Sequence, residues 1–93
     1  MKTIEINQTL RSVELISYYK DSAYAQTDKI HELANELFKQ KNGMTANCDE
    51  EIEEIELFED SILNDIECYL TGYEYIECEN QGSYHRHIWH KIN

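Results

Sequence analysis

The chain has 93 residues, no proline, three glycines, 41% hydrophobic residues and a formal net charge of −11. That length sets a single domain, residues 1–93, with a core of marginal stability, and the apolar fraction excludes a disordered acidic tail. The charge argues against direct contact with nucleic acid or an anionic membrane, and no apolar run approaches the roughly 20 residues that span a bilayer.

Lys2 to Asn7 alternates Ile4 and Ile6 with Thr3 and Glu5, which predicts a short strand. From Thr9 the period lengthens. Val13, Ile16, Tyr19, Ala23, Ile30, Leu33, Ala34 and Leu37 fall within less than half of a helical wheel. The pattern predicts one helix to Lys41 or two helices broken near Asp21. Ser12 to Tyr19 also fits a strand, with Val13, Leu15 and Ser17 alternating against Glu14, Ile16 and Tyr18. The helical reading is preferred.

Asn42 and Gly43 supply a stop, with Lys39 and Lys41 placed for the negative end of the helix dipole. A second helix begins at Asn47 or Cys48, with Asp49, Glu50 and Glu51 in its first turn. Ile52, Ile55, Phe58, Ile62, Ile66 and Tyr69 repeat at spacings of three and four, and Gly72 follows Thr71, so this helix runs to about Leu70. Beyond it the period falls to two. Tyr73 to Cys78 and Tyr84 to Ile92 flank Asn80-Gln-Gly-Ser83, a hairpin signal. The expected fold class is α+β, an antiparallel helix pair packed on a small antiparallel sheet in the order β-α-α-β-β.

The charge excess lies in one block. Cys48 to Glu79 holds thirteen carboxylates and no Lys or Arg, whereas Met1 to Asn47 is neutral and the tail carries only Arg86 and Lys91. Asp49, Glu50, Glu53, Glu54, Glu56, Asp60, Asp65 and Glu67 fall opposite or beside the isoleucine stripe. With Glu51 and Glu59 they give about one charge per 2.7 Å of helix axis, against about one per 1.7 Å in duplex DNA. Like charges at i,i+4, such as Glu50/Glu54 and Glu56/Asp60, oppose the helix, and a merely solvated face more often intersperses lysines. The competing reading is such a solvated face. The predicted partner-binding residues are the eight acids above with Glu74, Glu77, Tyr73 and Tyr75, since Tyr and carboxylates together suit a surface that meets Arg and Lys. Glu59 sits inside the apolar stripe, where an edge position is expected ahead of a pairing with a basic group.

Chemistry-bearing constellations are sparse. An even-numbered turn would set Cys78 opposite His85 and Ile76 opposite His87. Two imidazoles and a thiolate form half of a zinc site, but no fourth ligand follows from the spacing, so no metal and no cofactor is expected. Cys48 has Asp49, Glu50 and Glu51 beside it, which raise a thiol pKa, and no phosphate loop or Ser-His-Asp order is present. The chain is therefore expected not to be an enzyme. Three widely spaced cysteines, an odd number, read as reduced thiols of a soluble cytosolic protein.

A small, proline-free, acidic, tyrosine-rich chain resembles the phage and mobile-element inhibitors of bacterial defence, the anti-CRISPR and DNA-mimic antirestriction proteins. The resemblance rests on general character and implies binding to a CRISPR effector or a similar nuclease in the bacterial cytoplasm, blocking its target or guide channel. It transfers no residue roles. The alternatives are an immunity protein or antitoxin neutralising a basic nuclease toxin, and a small helical dimerisation module. The chain is expected as a monomer or homodimer.

Overall fold

A computed structural model of the chain describes residues 8–44, 46–82 and 84–92. The elements in chain order are α1 (Gln8–Val13), β1 (Ile16–Tyr19), β2 (Ser22–Gln26), α2 (Thr27–Asn42), α3 (Asp49–Tyr69), β3 (Tyr73–Gln81) and β4 (Tyr84–Lys91). The strands form one antiparallel sheet in the order β1-β2-β4-β3. The fold is α+β with an antiparallel sheet, but after α1 the order is β-β-α-α-β-β and not β-α-α-β-β. The strand expected at Lys2 to Asn7 lies outside the described residues.

The correction falls on the first third. The helix expected from Thr9 to Lys41 is instead a six-residue α1, a tight hairpin and α2. Ala23 and Ala25 are fully buried while Tyr24 and Gln26 face away, the alternation of a half-buried strand. Ile16, Tyr18, Tyr19 and Tyr24 are residue types that fit a pleated surface. Lys20 turns the chain at φ 55°, a conformation usually left to Gly or Asn. Ser12 belongs to α1, so the alternative strand at Ser12 to Tyr19 is right only from Ile16 onward.

α2 ends where Gly43 takes φ 76° and its N–H bonds Lys39 O at 2.7 Å. α3 begins after extended Cys48, and Glu51 reaches back to accept from the Asn47 N–H at 3.3 Å and the Cys48 thiol at 3.2 Å. The core gathers Ile30, Leu33, Ala34, Leu37 and Phe38 of α2 with Ile55, Ile62 and Ile66 of α3, Leu70, Ala23, Ala25 and Trp89. Small Ala23 and Ala25 leave room on the sheet for α2, and Trp89 fills the remaining space. Ile52 and Tyr69, at the two ends of the α3 stripe, are exposed, so the stripe outruns the core it covers.

β3 and β4 form the expected hairpin, with Gln81 and Tyr84 paired at its turn end and Gly82 at φ 64°. A bulge at Ile76 shifts the register, so Cys78 stands opposite His87 and Asn80 opposite His85. The even-turn pairing expected for Cys78 and His85 therefore does not form.

Candidate functional site

The carboxylates of α3 sort by what they touch. Glu54 accepts from Lys41 Nζ at 2.9 Å, which ties the end of α2 to the start of α3. Glu59 Oε1 lies 2.9 Å from His31 Nδ1, so the acid inside the apolar stripe is held across the helix pair and is not simply an edge residue. Asp65 turns toward α1, with its Oδ2 3.0 Å from Gln8 Nε2 and 3.3 Å from the buried Ser12 hydroxyl. Glu51 is occupied by the helix start.

Asp49, Glu50, Glu53, Glu56, Asp60 and Glu67 remain. Among the described residues, no Lys, Arg or His nitrogen lies within 4.0 Å of any of these six carboxylates. At about 100° per residue, Asp49, Glu53, Glu56, Asp60 and Glu67 fall within roughly 60° of one another, about 130° from Ile55. They form one straight stripe about 27 Å long. Glu50 lies on the other flank beside a cleft of about 550 Å³ lined by Gln8, Lys41, Glu50, Glu53, Glu54, Leu57, Phe58 and Ser61. Leu57 is 68% exposed, the most exposed large apolar side chain described, and it sits among these acids.

The stripe ends above the sheet. Glu67 is close enough to bear on both His87 and Tyr75. Burial holds the Tyr75 hydroxyl above its usual pKa, reinforced by the negative charges of Cys78, Glu67 and Glu77. Burial also lowers His87 below its ordinary value, with the Glu67 charge pulling the other way. Tyr75, His87 and Trp89 pack as a ring cluster, with Tyr75 edge-on to Trp89 at 5.5 Å between centroids.

The predicted binding residues are thus not one surface. Asp49, Glu53, Glu56, Asp60 and Glu67 form the stripe, and Tyr75 adjoins its end, whereas Glu77 stands opposite Ile88 on β4. Glu54 and Asp65 are engaged inside the fold. Tyr73 packs toward the core, and Glu74 stands opposite His90 on the sheet face away from Trp89. Leu57 carried a signal that periodicity alone gives, since it lies nearly opposite Ile55 on the wheel. Lys41 and His31 carried none, because their partners are 13 and 28 residues away in sequence.

Cys78 faces His87 with no third ligand beside them, and no cluster of three or more His, Cys, Asp or Glu arranged for a metal occurs among the described residues. No described helix is long and apolar enough to cross a membrane. Comparison with protein-family models, with curated proteins and with solved structures returns no match for this chain.

Proposed function

We propose that this chain is an acidic inhibitor protein rather than an enzyme. It binds a basic nucleic-acid-binding surface of a bacterial defence effector, a CRISPR effector or similar nuclease, and blocks target binding by charge mimicry in the bacterial cytoplasm. The observation that carries the reading is the row of uncompensated carboxylates along α3. The five acids of the stripe over about 27 Å give one per about 5.4 Å, against one phosphate per 3.4 Å along a single DNA strand. A surface of that density competes with a phosphate backbone for the same Lys and Arg side chains.

Leu57 adds what a purely electrostatic face lacks. An exposed leucine ringed by acids offers an apolar anchor that the partner desolvates, while the surrounding charges steer the encounter and fix its orientation. The acids beside it cost stability through mutual repulsion, which a purely solvated face would avoid by admitting lysines.

The test is a triple variant, Glu53→Lys, Glu56→Lys and Asp60→Lys, with a separate Leu57→Ala. Purified CRISPR effectors and restriction nucleases are assayed for binding and for competition with labelled target duplex. Wild type is expected to displace the duplex, with an affinity that falls as salt rises. The triple variant is expected to lose binding with its fold intact, and Leu57→Ala to weaken it about tenfold. Unchanged inhibition by the triple variant would place the interface elsewhere.

A further inference from the structure

α1 and the cleft beside Leu57 occupy one face of α3. At about 100° per residue, Glu50, Glu54, Leu57, Phe58, Ser61 and Asp65 fall within roughly 100° of one another. α1 covers the C-terminal half of that face. Gln8 Nε2 lies 2.7 Å from Ser61 Oγ and 3.0 Å from Asp65 Oδ2, and the Ser12 hydroxyl is 3.3 Å from the same Asp65 oxygen. Gln8 reaches Ser61 and Ser12 reaches Asp65, one turn further on, so the N-terminal end of α1 is the one beside the cleft. The other half of the face, Glu50 to Phe58, bounds the cleft of about 550 Å³ together with Lys41 of α2, and Gln8 lines its end.

Two lengths agree. From Ser61 back to Glu50 the helix axis covers about 17 Å at 1.5 Å per residue. From Asn7 back to Lys2 an extended chain covers about 17 Å at 3.3 Å per residue. The side chains agree as well. With period two, Lys2, Ile4 and Ile6 share one side of such a segment, and Thr3, Glu5 and Asn7 share the other.

We propose that residues 2–7 lie extended along this cleft, parallel to α3, as the chain's own occupant of it. Ile6 then stands at the level of Phe58, and Ile4 beside Leu57, which is 68% exposed without such a cover. Lys2 comes to Glu50 and Glu53, two acids with no Lys, Arg or His nitrogen within 4.0 Å among the described residues. Glu5 faces solvent, away from the acids of the wall. A one-residue slip turns Glu5 toward those acids and both isoleucines outward, so the alternation sets the register. The inference goes beyond the proposed function, in which Leu57 waits for a partner. Here the chain's own isoleucines hold it until a partner displaces them.

Zero-length carbodiimide cross-linking of the full chain, read by peptide mass spectrometry, tests the proposal. Lys41 and Glu54, 2.9 Å apart, supply an internal control for an intact helix pair. An amide from Lys2 to Glu50 or Glu53 is expected within one chain, and a mixture of ¹⁴N and ¹⁵N chains separates it from a link between two chains. Ile4→Ser with Ile6→Ser is expected to lower the yield of the Lys2 link about fivefold or more while the Lys41–Glu54 link stays unchanged. Leu57→Ala is expected to lower it in the same direction. Absence of the Lys2 link where the control forms overturns the inference. So does a link found only between ¹⁴N and ¹⁵N chains, which would seat a second copy in the cleft, or a yield indifferent to the loss of both isoleucines.

Discussion

The hydroxyl of Tyr75 and Nδ1 of His87 lie 3.0 Å apart across the β3–β4 ladder, on the same sheet face as Trp89. A neutral imidazole has a ring nitrogen free to accept the phenol proton, and a doubly protonated one does not. Burial acts in the same direction, holding the His87 pKa below its ordinary value of about 6.5. A depressed folded pKa means that the folded state binds fewer protons than the unfolded one. The contribution of His87 is therefore complete above pH 6.5 and is lost as pH falls through 6.5 toward the folded value.

Urea melts taken from neutral pH downward are thus expected to show a fall in stability below about pH 6.5. The fall should be under about 1 kcal/mol, since the ring is only half-buried and solvent screens it. His87→Gln is expected to remove it. A fall of equal size in that variant would assign the effect to other groups. At the alkaline end the sign reverses, because the raised Tyr75 pKa makes stability decline as pH rises through about 10, and Tyr75→Phe should blunt that decline.

The acidic stripe is expected to cost stability. Glu53/Glu56 and Glu56/Asp60 stand at i,i+3 and i,i+4 on α3, and each such like-charge pair opposes the helix by about 0.2–0.5 kcal/mol. Glu53→Gln, Glu56→Gln and Asp60→Gln together should raise the melting temperature by a few degrees, roughly 2–6 °C for a domain of this size. Added salt should raise wild type and leave the triple variant less changed. A triple variant that melts lower than wild type would refute the repulsion argument.

Trp89 is 2% exposed and is the only tryptophan in the chain. Trp89→Ala should cost about 3–5 kcal/mol, enough to unfold a small domain of marginal stability, and circular dichroism would show it directly. In wild type its emission reports the core, shifting red in a single step on unfolding.

Gly43 closes α2 in the left-handed region, where a Cβ would meet no atom within 4 Å. Gly43→Ala therefore tests backbone strain without a clash, and about 1 kcal/mol of destabilisation is expected from a denaturant midpoint.

α3 was legible because a spacing of three and four held over 21 residues, with acids at its start and Gly72 beyond its end. The N-terminal hairpin was not. Ile16, Tyr19 and Ala23 satisfy a helical stripe, while Ile16, Tyr18, Ala23 and Ala25 satisfy two short strands, and a four-residue strand is too brief for period to decide. The turn carried no Gly or Asn to announce it, and Lys20 adopts the left-handed conformation there. At the candidate site, the location of the acids was readable and their engagement was not. Asp65 is withdrawn by Gln8, 57 residues away, and no local pattern reports a partner at that range. The register of Cys78 turned on one extra residue at Ile76, which alternation of residue type does not reveal.

The sheet order has a consequence for how the chain assembles. β1–β2 and β3–β4 are each local hairpins, and they meet only where Ala25 pairs with His87 and its neighbours, across a long loop of sequence. The covalent link between the halves joins the end of α2 at Asn42 to the start of α3 at Asp49. Two separately made fragments divided within that link each hold a complete hairpin and one long helix, and their union rebuilds the whole core. Mixing them should bury Trp89 again, visible as a blue shift absent from either fragment alone, which would make this chain a reporter by fragment complementation.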